Sequence, residues 1–295
     1  MELNHKEVTA APIPAASVIL LRDAPGGFEV FLVQRHSKSA SFGGAHVFPG
    51  GKVDKEDHGD EAIGRLAAPR EAMHRALGEA ALDATQAAAL HFAACRETFE
   101  ECGVLLAGRQ GRADAGLQAE ALAAHREGRS FAEVVAQMDL SIDVSGMSPW
   151  SRWITPRMPS LNTNKRFDTR FFVVALPAGQ TALHDNHEAM DSLWIDPRQG
   201  LDRYWARQME LAPPQIMTLA HLSRFRSVPD VLADAGRRAP PLIQPEPMQV
   251  DGLRVVAYPG DPGHPLKERA MPGPSRLVFR NGHFEPNDGY EAFFA

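Results

Sequence analysis

The segment from Asp83 to Gly103 constrains the fold of this chain more than any other, because it carries signals for both ends of one helix. Asp83 followed by Gln86 is a capping box, which predicts a helix start. Gly103 suits the residue just past a helix end, since glycine takes the left-handed conformation without strain. We therefore predict one long helix between these residues.

This predicted helix has two different faces. At ~100° per residue its apolar side chains form one stripe, which should face a core. The stripe consists of Phe92, Cys95, Phe99 and Cys102. Glu97, Glu100 and Glu101 lie almost opposite, where like charges cost roughly 0.2–0.5 kcal/mol per pair unless a cation lies between them. Carboxylate oxygens suit Mg²⁺ or Mn²⁺, although the glutamates alone could equally form an acidic, solvated helix face.

Composition narrows the classes of protein to consider. The 295 residues are 44% hydrophobic, and 31 basic against 37 acidic residues give a net charge of −6, which disfavours nucleic-acid binding. No apolar run reaches the ~18 residues that a membrane span needs. The only cysteines are Cys95 and Cys102, and no signal peptide is evident. We expect a cytoplasmic protein without membrane or nucleic-acid partners, and a homodimer is left open.

Strand and turn signals precede the helix. Residues 16–22 and 28–35 are rich in β-prone side chains and are separated by a Pro-Gly-Gly turn, so they predict a hairpin. A short strand at 45–48 should stop at the turn Pro49 to Gly51. Further strands are expected at 152–155, 167–176 and 192–195.

The remaining segments predict helices and a β-rich tail. Helical insertions are expected near residues 59–82 and 117–140, and a helix should start at Pro213. In the Pro-rich tail, Asp251-Gly252 and Asn281-Gly282 are hairpin turn signals. We therefore divide the chain into a domain over 1–238 and a C-terminal extension over 239–295, with two hairpins packed on the core.

Residues 96–104 read RETFEECGV and resemble the box of the Nudix hydrolases at every fixed position, with only Thr98 less apolar than usual. Phe48 to Gly51 is similar to the glycine loop that opens this box. The resemblance implies an α/β/α Nudix sandwich with a mixed sheet. It also implies a metal-dependent hydrolase that cleaves a nucleoside diphosphate linked to another moiety.

The box is interrupted. Gly51 to Val104 spans 54 positions, about 31 more than in the common box, and loop-closure entropy makes such an insertion tolerable. Asp57 falls at the position where the family has a glutamate. The interruption resembles the long-insert coenzyme A diphosphatase branch, as does the order of Trp153, Arg166, Glu188 and Trp194.

The resemblance implies roles for several residues. Glu97, Glu100 and Glu101 would hold Mg²⁺ or Mn²⁺, which lowers the pKa of a bound water. Glu101 or Glu97 is expected to take the proton of that water, with Glu188 as an alternative. Arg96 is expected to orient a glutamate.

Candidate substrate contacts are Arg35, Gly50, Gly51, Arg166 and Arg170. The two arginines near residue 168 could meet phosphates or pair with Asp168 instead. Ala40 replaces an arginine that the coenzyme A motif usually carries, and Arg35 could be a surface charge. An ADP-ribose or dinucleotide diphosphatase and a non-catalytic Nudix ligand-binding domain therefore remain alternatives.

Overall fold

The computed structural model describes residues 7–36, 43–109, 113–158, 165–183 and 189–295. The strands of these described ranges, in chain order, are β1 Ile13–Ala24, β2 Gly27–Arg35, β3 His46–Val47, β4 Gly50–Lys52, β5 Ala107–Gly108, β6 Ser141–Ile142, β7 Ser148–Ile154, β8 Phe167–Ala175, β9 Ala189–Ile195, β10 Leu242–Ile243, β11 Glu246–Val250, β12 Leu253–Ala257, β13 Arg276–Arg280 and β14 His283–Pro286. The helices are α1 Asp60–Gly64, α2 Arg70–Leu77, α3 Ala84–Cys102, α4 Ala115–Arg126, α5 Phe131–Gln137, α6 Pro197–Trp205, α7 Pro213–Leu222 and α8 Val228–Arg237. Two single-turn 3₁₀ helices occupy Glu56–His58 and Tyr290–Phe293.

The main sheet is mixed, as predicted. Its strands run in the order β10-β7-β8-β1-β2-β3, with β4 also paired to β1 and β9 to β2. The pairs β1–β8 and β7–β10 are parallel, whereas the other pairs of this sheet are antiparallel. The predicted strands at 152–155, 167–176 and 192–195 overlap β7, β8 and β9.

β1 and β2 pair with each other only near the turn that connects them. β1 pairs with β2 only over Leu21–Ala24, and its earlier residues Ala15 to Ser17 pair with β4 instead. The predicted turn at Pro49 to Gly51, which we call the glycine turn, is only partly correct, because Pro49 forms a bend and Gly50 and Gly51 begin β4. Gly50 lies against β1 with a φ of +153°, and a Cβ there would overlap the carbonyl oxygen of Ala16. Only glycine fits there, because the neighbouring backbone leaves no room for a side chain.

Alternation along β1 divides the core into two layers. Val18 and Leu20 point to the face that α3 covers, while Ile19 and Leu21 point to the opposite face, which α7 covers. The C-terminal strands add Val256 and other apolar side chains to this second layer. The resulting helix–sheet–helix arrangement confirms the predicted α/β/α sandwich.

α3 begins and ends as predicted. The Asp83 capping box is present in both directions, and Gly103 has a φ of +70° and donates its N–H to the Phe99 carbonyl over 2.8 Å. Some polar residues of α3 outside its apolar stripe are also buried. Thr98 is fully buried, and its hydroxyl is satisfied by donating to the Ala94 carbonyl over 2.7 Å. Glu97 is only 9% exposed.

The segments outside the central layers contain both expected and unexpected elements. α1 and α2 fall within the predicted insertion at 59–82 and contact α3, and α4 and α5 match the second predicted insertion. Two hairpins turn at Asp251-Gly252 and Asn281-Gly282, all with positive φ, as predicted. α6, α8 and β10 were not predicted. The division at residue 239 stays a prediction, since β10 of the tail pairs with β7 of the main sheet.

Within the described ranges, no helix combines the length and the apolar character needed to cross a membrane.

Candidate active site

The glycine turn and the second half of α3 are in direct contact. The N–H of Gly50 donates to Glu101 Oε2 over 2.8 Å. A Cβ on Gly51 would overlap the carboxylate of Glu97, so the absence of a side chain lets that glutamate approach the turn. The structure thus brings together four of the predicted site residues, which are far apart in sequence.

Arg96 holds the glutamates of α3 together. Its Nη1 donates to Glu97 Oε1 over 2.8 Å and to Glu100 Oε2 over 2.9 Å. Its other side, Nε and Nη2, donates to both oxygens of Asp57 over 2.9 Å each. We call Asp57, Arg96, Glu97, Glu100 and Glu101 the α3 cluster.

Arg96 stays cationic within this cluster. Burial acts to lower its pKa, but the hydrogen bonds to Asp57 and the charges of Glu97, Asp57 and Glu100 outweigh burial and raise the pKa. A permanent cation with a planar fork of donors can orient two carboxylates at once. The predicted role of Arg96, to orient a glutamate, agrees with this geometry.

Asp57 connects the two parts of the interrupted box, because it contacts Arg96 on the other side of the insertion. It is fully buried in the 3₁₀ helix Glu56–His58, directly before the insertion, and its Oδ2 also accepts the N–H of Asp54 over 2.8 Å. It contacts Arg96 across 39 positions of sequence. The signal for this residue was its distance from Gly51, which puts it at the position of the family's glutamate.

The carboxylates of the α3 cluster suit a divalent cation in chemistry, because they are hard oxygen donors next to two glycines, Gly50 and Gly51. Within the described ranges, no three His, Cys, Asp or Glu side chains converge closely enough to hold a metal. At this site Arg96 bridges Glu97 and Glu100, and the Gly50 N–H donates to Glu101. Glu97, Glu100 and Glu101 remain predicted metal ligands.

A second group of charged side chains lies on the same face of the sheet. Glu79 Oε1 and Oε2 accept from Arg170 Nε and Nη2 over 2.9 and 2.5 Å, and Oε2 also accepts from Arg152 Nη1 over 2.8 Å. Arg152 Nη2 in turn lies 2.7 Å from Asp168 Oδ2. We call these four residues the Glu79 cluster.

The Glu79 cluster gives Arg170 a structural environment. Only 3% of its side chain is exposed, and it pairs with both Glu79 and Asp168. Pairing with Asp168 is the alternative that the sequence left open, and contact of Arg170 with substrate stays a prediction. Glu79 and Arg152 were missed, since a glutamate in the loop after α2 gives no signal of its distant partners.

The other predicted substrate contacts are less concentrated. Arg166 is 7% exposed and donates to the carbonyls of Thr155 and Ala10 over 2.9 and 3.2 Å. Arg35 lies at the end of β2 beside a register shift, and its Nε is buried without a partner in the described ranges. Glu188 and Ala40 lie outside the described residues.

The two cysteines belong to the core, as their place on the apolar stripe predicted. Both are fully buried, and the Cys102 thiol donates to the Thr98 carbonyl over 2.8 Å. Burial raises the pKa of Cys95 to about 12, so its reactive thiolate is not formed near neutral pH.

Comparison with known proteins places this geometry in a family. A family model described as the NUDT19 Nudix domain matches residues 7–222. The acyl-coenzyme A diphosphatase NUDT19 of Gallus gallus is 30% identical over 270 residues, which cover 76% of this chain and 71% of that protein. The NUDT19 of Homo sapiens is 27% identical over 70% of this chain, and the match spans 63% of the human protein.

A solved structure shows the same architecture. A NUDIX hydrolase from Alicyclobacillus acidocaldarius is 25% identical and superimposes with a TM-score of 0.59. The match covers 76% of this chain and 97% of that one. Together with the RETFEECGV motif on α3 and its contact with the glycine turn, these matches show that the chain belongs to the Nudix hydrolases, with a Nudix domain of the NUDT19 type.

Proposed function

We propose that this enzyme hydrolyses coenzyme A or acyl-coenzyme A within the diphosphate. Water adds to one phosphorus and the bridging P–O bond breaks, which yields a phosphopantetheine product and 3′,5′-ADP. The observation that carries the proposal is the contact between the glycine turn and the glutamates of α3, on a chain whose relatives are named acyl-coenzyme A diphosphatases.

We propose that Glu97, Glu100 and Glu101 hold one to three divalent cations, Mg²⁺ or Mn²⁺. Such a cation, when bound, neutralises diphosphate oxygens and lowers the pKa of a coordinated water. Oxygen donors are the ligands that both ions prefer, which supports this assignment. The cluster has four carboxylates for one guanidinium, and this excess of negative charge also favours cation binding.

The chain's own residues would prepare the site in two ways. Arg96, fixed by buried Asp57, holds Glu97 and Glu100 side by side. The Gly50 N–H holds Glu101 against the turn, where a substrate phosphate could approach the backbone closely. Glu101 or Glu97 would accept the proton of the attacking water, with Glu188 as the alternative base.

Contacts with the rest of the substrate are proposed for Gly50, Gly51, Arg35, Arg166 and Arg170. Arg35 is the best placed of the arginines, because its Nε lacks a partner in the described ranges. Arg170 would have to leave Glu79 to bind a phosphate. We therefore expect Arg35 to contribute more to binding of the 3′-phosphate than Arg170.

The decisive experiment compares kcat/KM for coenzyme A and for dephospho-coenzyme A at fixed metal, alongside ADP-ribose and diadenosine polyphosphates. Selection for the 3′-phosphate predicts a higher value for coenzyme A, and Arg35→Gln should reduce this preference. Equal values, or a preference for ADP-ribose, would remove the coenzyme A claim and leave the Nudix chemistry intact. Absence of turnover with every substrate would favour a binding-only domain.

We also propose a cytoplasmic location, in keeping with the acidic composition and two free, buried thiols. A homodimer is proposed as a state to test by light scattering. Fractionation of cells that express the full chain would check the location. Recovery in a membrane or organelle fraction would contradict it.

A further inference from the structure

An open surface depression of about 410 Å³, called the cavity below, lies on the face of the sheet opposite α3, where the C-terminal tail passes α7 and α8. It is lined by His221 of α7, by Arg238, which directly follows α8, and by Arg269 and Met271 of the tail. Small-molecule sites often form where two parts of a chain meet, as α7 and the tail do here. No step of the proposed hydrolysis uses this cavity.

The imidazole of His221 lines the cavity and is held by contacts with aromatic rings, without a hydrogen-bond partner in the described residues. Its ring packs against Trp150 with 4.6 Å between centroids and lies 5.8 Å from the ring of Phe225. Nothing in the described part of the chain hydrogen-bonds to this ring. Burial, together with the charge of Arg238, lowers its pKa to about 4, so the neutral ring keeps one N–H donor near neutral pH.

Two guanidinium groups beside the cavity are also fixed. Arg238 donates to Asp234 Oδ2 over 2.7 Å and to the Trp150 carbonyl over 2.9 Å, and it lies over the Trp150 ring. The stem of Arg269 packs where Gly260 has no side chain, since a Cβ there would lie 2.5 Å from Arg269 Cγ. The Arg269 guanidinium also donates to the Gly273 carbonyl.

The charges of these lining residues do not cancel. The lining contains two arginines, Arg238 and Arg269, and one carboxylate, Asp234, which pairs with Arg238. A neighbouring anion would therefore meet one uncompensated positive charge at Arg269. Because both guanidinium groups are held before any ligand arrives, binding would cost little side-chain entropy.

We propose that this cavity binds a small organic oxyanion, a carboxylate or a phosphate monoester. The anionic group would lie between His221 and Arg269, and the apolar part would pack on Met271 and the neighbouring prolines. This site lies on the other layer of the core from the α3 cluster, so it would be a separate site and not a part of the substrate pocket.

The test uses the full chain and three probes: benzoate, its neutral analogue benzamide, and inorganic phosphate. NMR signals of the His221 imidazole, assigned with His221→Gln, report on binding. Benzoate should shift these signals saturably and benzamide should not. Phosphate binding as tight as that of benzoate would identify the phosphate form of the ligand, and weaker binding the carboxylate form.

Two variants test the position of the anion. Arg269→Gln should weaken benzoate binding about tenfold or more, which is about 1.4 kcal/mol. Arg75→Gln, an exposed arginine of α2, is the matched control and should bind like the wild type. Ala239→Phe places bulk in the cavity without a charge change and should also abolish binding.

Three results would overturn the proposal. These are the absence of a saturable shift with benzoate or phosphate, equal affinity for benzamide, and an equal loss in Arg75→Gln and Arg269→Gln. Each variant needs an unchanged melting temperature, which the exposure of Arg269 and Ala239 makes attainable.

Discussion

Two groups of arginines and carboxylates share one face of the main sheet, and they differ in charge balance. The α3 cluster has one arginine for four carboxylates, whereas the Glu79 cluster has two arginines for two carboxylates. Both are largely buried. A buried excess of negative charge is costly and requires a compensating cation, but a balanced group can be purely structural.

This difference assigns the two clusters to different tasks. The Glu79 cluster connects the segment that interrupts the box to β7 and β8, because Glu79 follows α2 and its partners lie on those strands. The α3 cluster joins both ends of the interrupted box, since Asp57 and Arg96 lie on either side of the insertion. We expect variants of the first to affect stability and variants of the second to affect turnover.

The largest effect is expected from Glu79→Leu. It leaves Arg152 and Arg170 with only Asp168, so the free energy of unfolding should fall by roughly 3 kcal/mol or more. Chemical denaturation measures this change. Adding Arg170→Met should recover part of the loss, because the second variant removes the unpaired buried charge.

Turnover separates this variant from those of the α3 cluster. At a temperature where Glu79→Leu is folded, its kcat should stay near that of the wild type. A kcat loss as large as that of a glutamate variant of α3 would break the proposed separation of the two clusters.

Buried histidines on the two faces of the sheet should make the fold sensitive to acid. His91 belongs to α3, and His221 belongs to α7 on the opposite face of the sheet. Burial lowers the pKa of each to about 4. The unfolded chain therefore binds more protons between pH 6.5 and 4. As the pH is lowered through this window, the free energy of unfolding should decrease by up to ~1.4 kcal/mol per pH unit for each histidine.

Denaturation curves at several pH values check this prediction. His91→Gln should reduce the slope between pH 6.5 and 4, because one of the two titrating groups is removed. An unchanged slope in both His91→Gln and His221→Gln would show that other groups control the acid sensitivity.

A smaller effect on catalysis is expected from Asp57→Asn. The variant weakens one side of the Arg96 contact but leaves Glu97 and Glu100 paired, so kcat should fall about tenfold with KM little changed. Asp57→Glu should restore most of the activity if a charge at this position is what orients Arg96. Equal losses in both variants would point to a packing role instead.

The smallest effect is expected from the exposed ion pair of Arg70 and Asp60. The carboxylate of Asp60 is 94% exposed, so Asp60→Asn should change the free energy of unfolding by at most about 1 kcal/mol. Urea denaturation of this variant is the control for Glu79→Leu. A loss as large as that of Glu79→Leu would show that burial does not explain the difference.

The sequence predicted the parts of the molecule that depend on local signals. The capping box, the end at Gly103 and the two hairpin turns of the tail are determined by neighbouring residues, and all were confirmed. Position in the box also identified Asp57, although its contact with Arg96 closes over 39 positions.

What the sequence did not predict depends on distant contacts. The helical wheel placed Glu97 opposite the apolar stripe, but Gly51 of β4 lies against its carboxylate and Glu97 is buried. Arg170 was expected to share the role of Arg166, because the two lie four residues apart in one strand. In the structure, Arg170 instead pairs with Glu79 of the insertion. Buried His91, which packs on Phe172 of β8, gave no signal because its partner lies on a distant strand.

The most direct test of the central claim is kcat of Glu100→Gln and of Glu101→Gln at saturating Mg²⁺ or Mn²⁺. Each change removes the charge of one proposed metal ligand at nearly constant volume, so the fold should stay intact while kcat falls about 10²-fold or more. Glu120→Gln, an exposed glutamate of α4, is the matched control and should retain full activity. Near-normal turnover by both α3 variants would contradict the assignment of the active site to the α3 cluster.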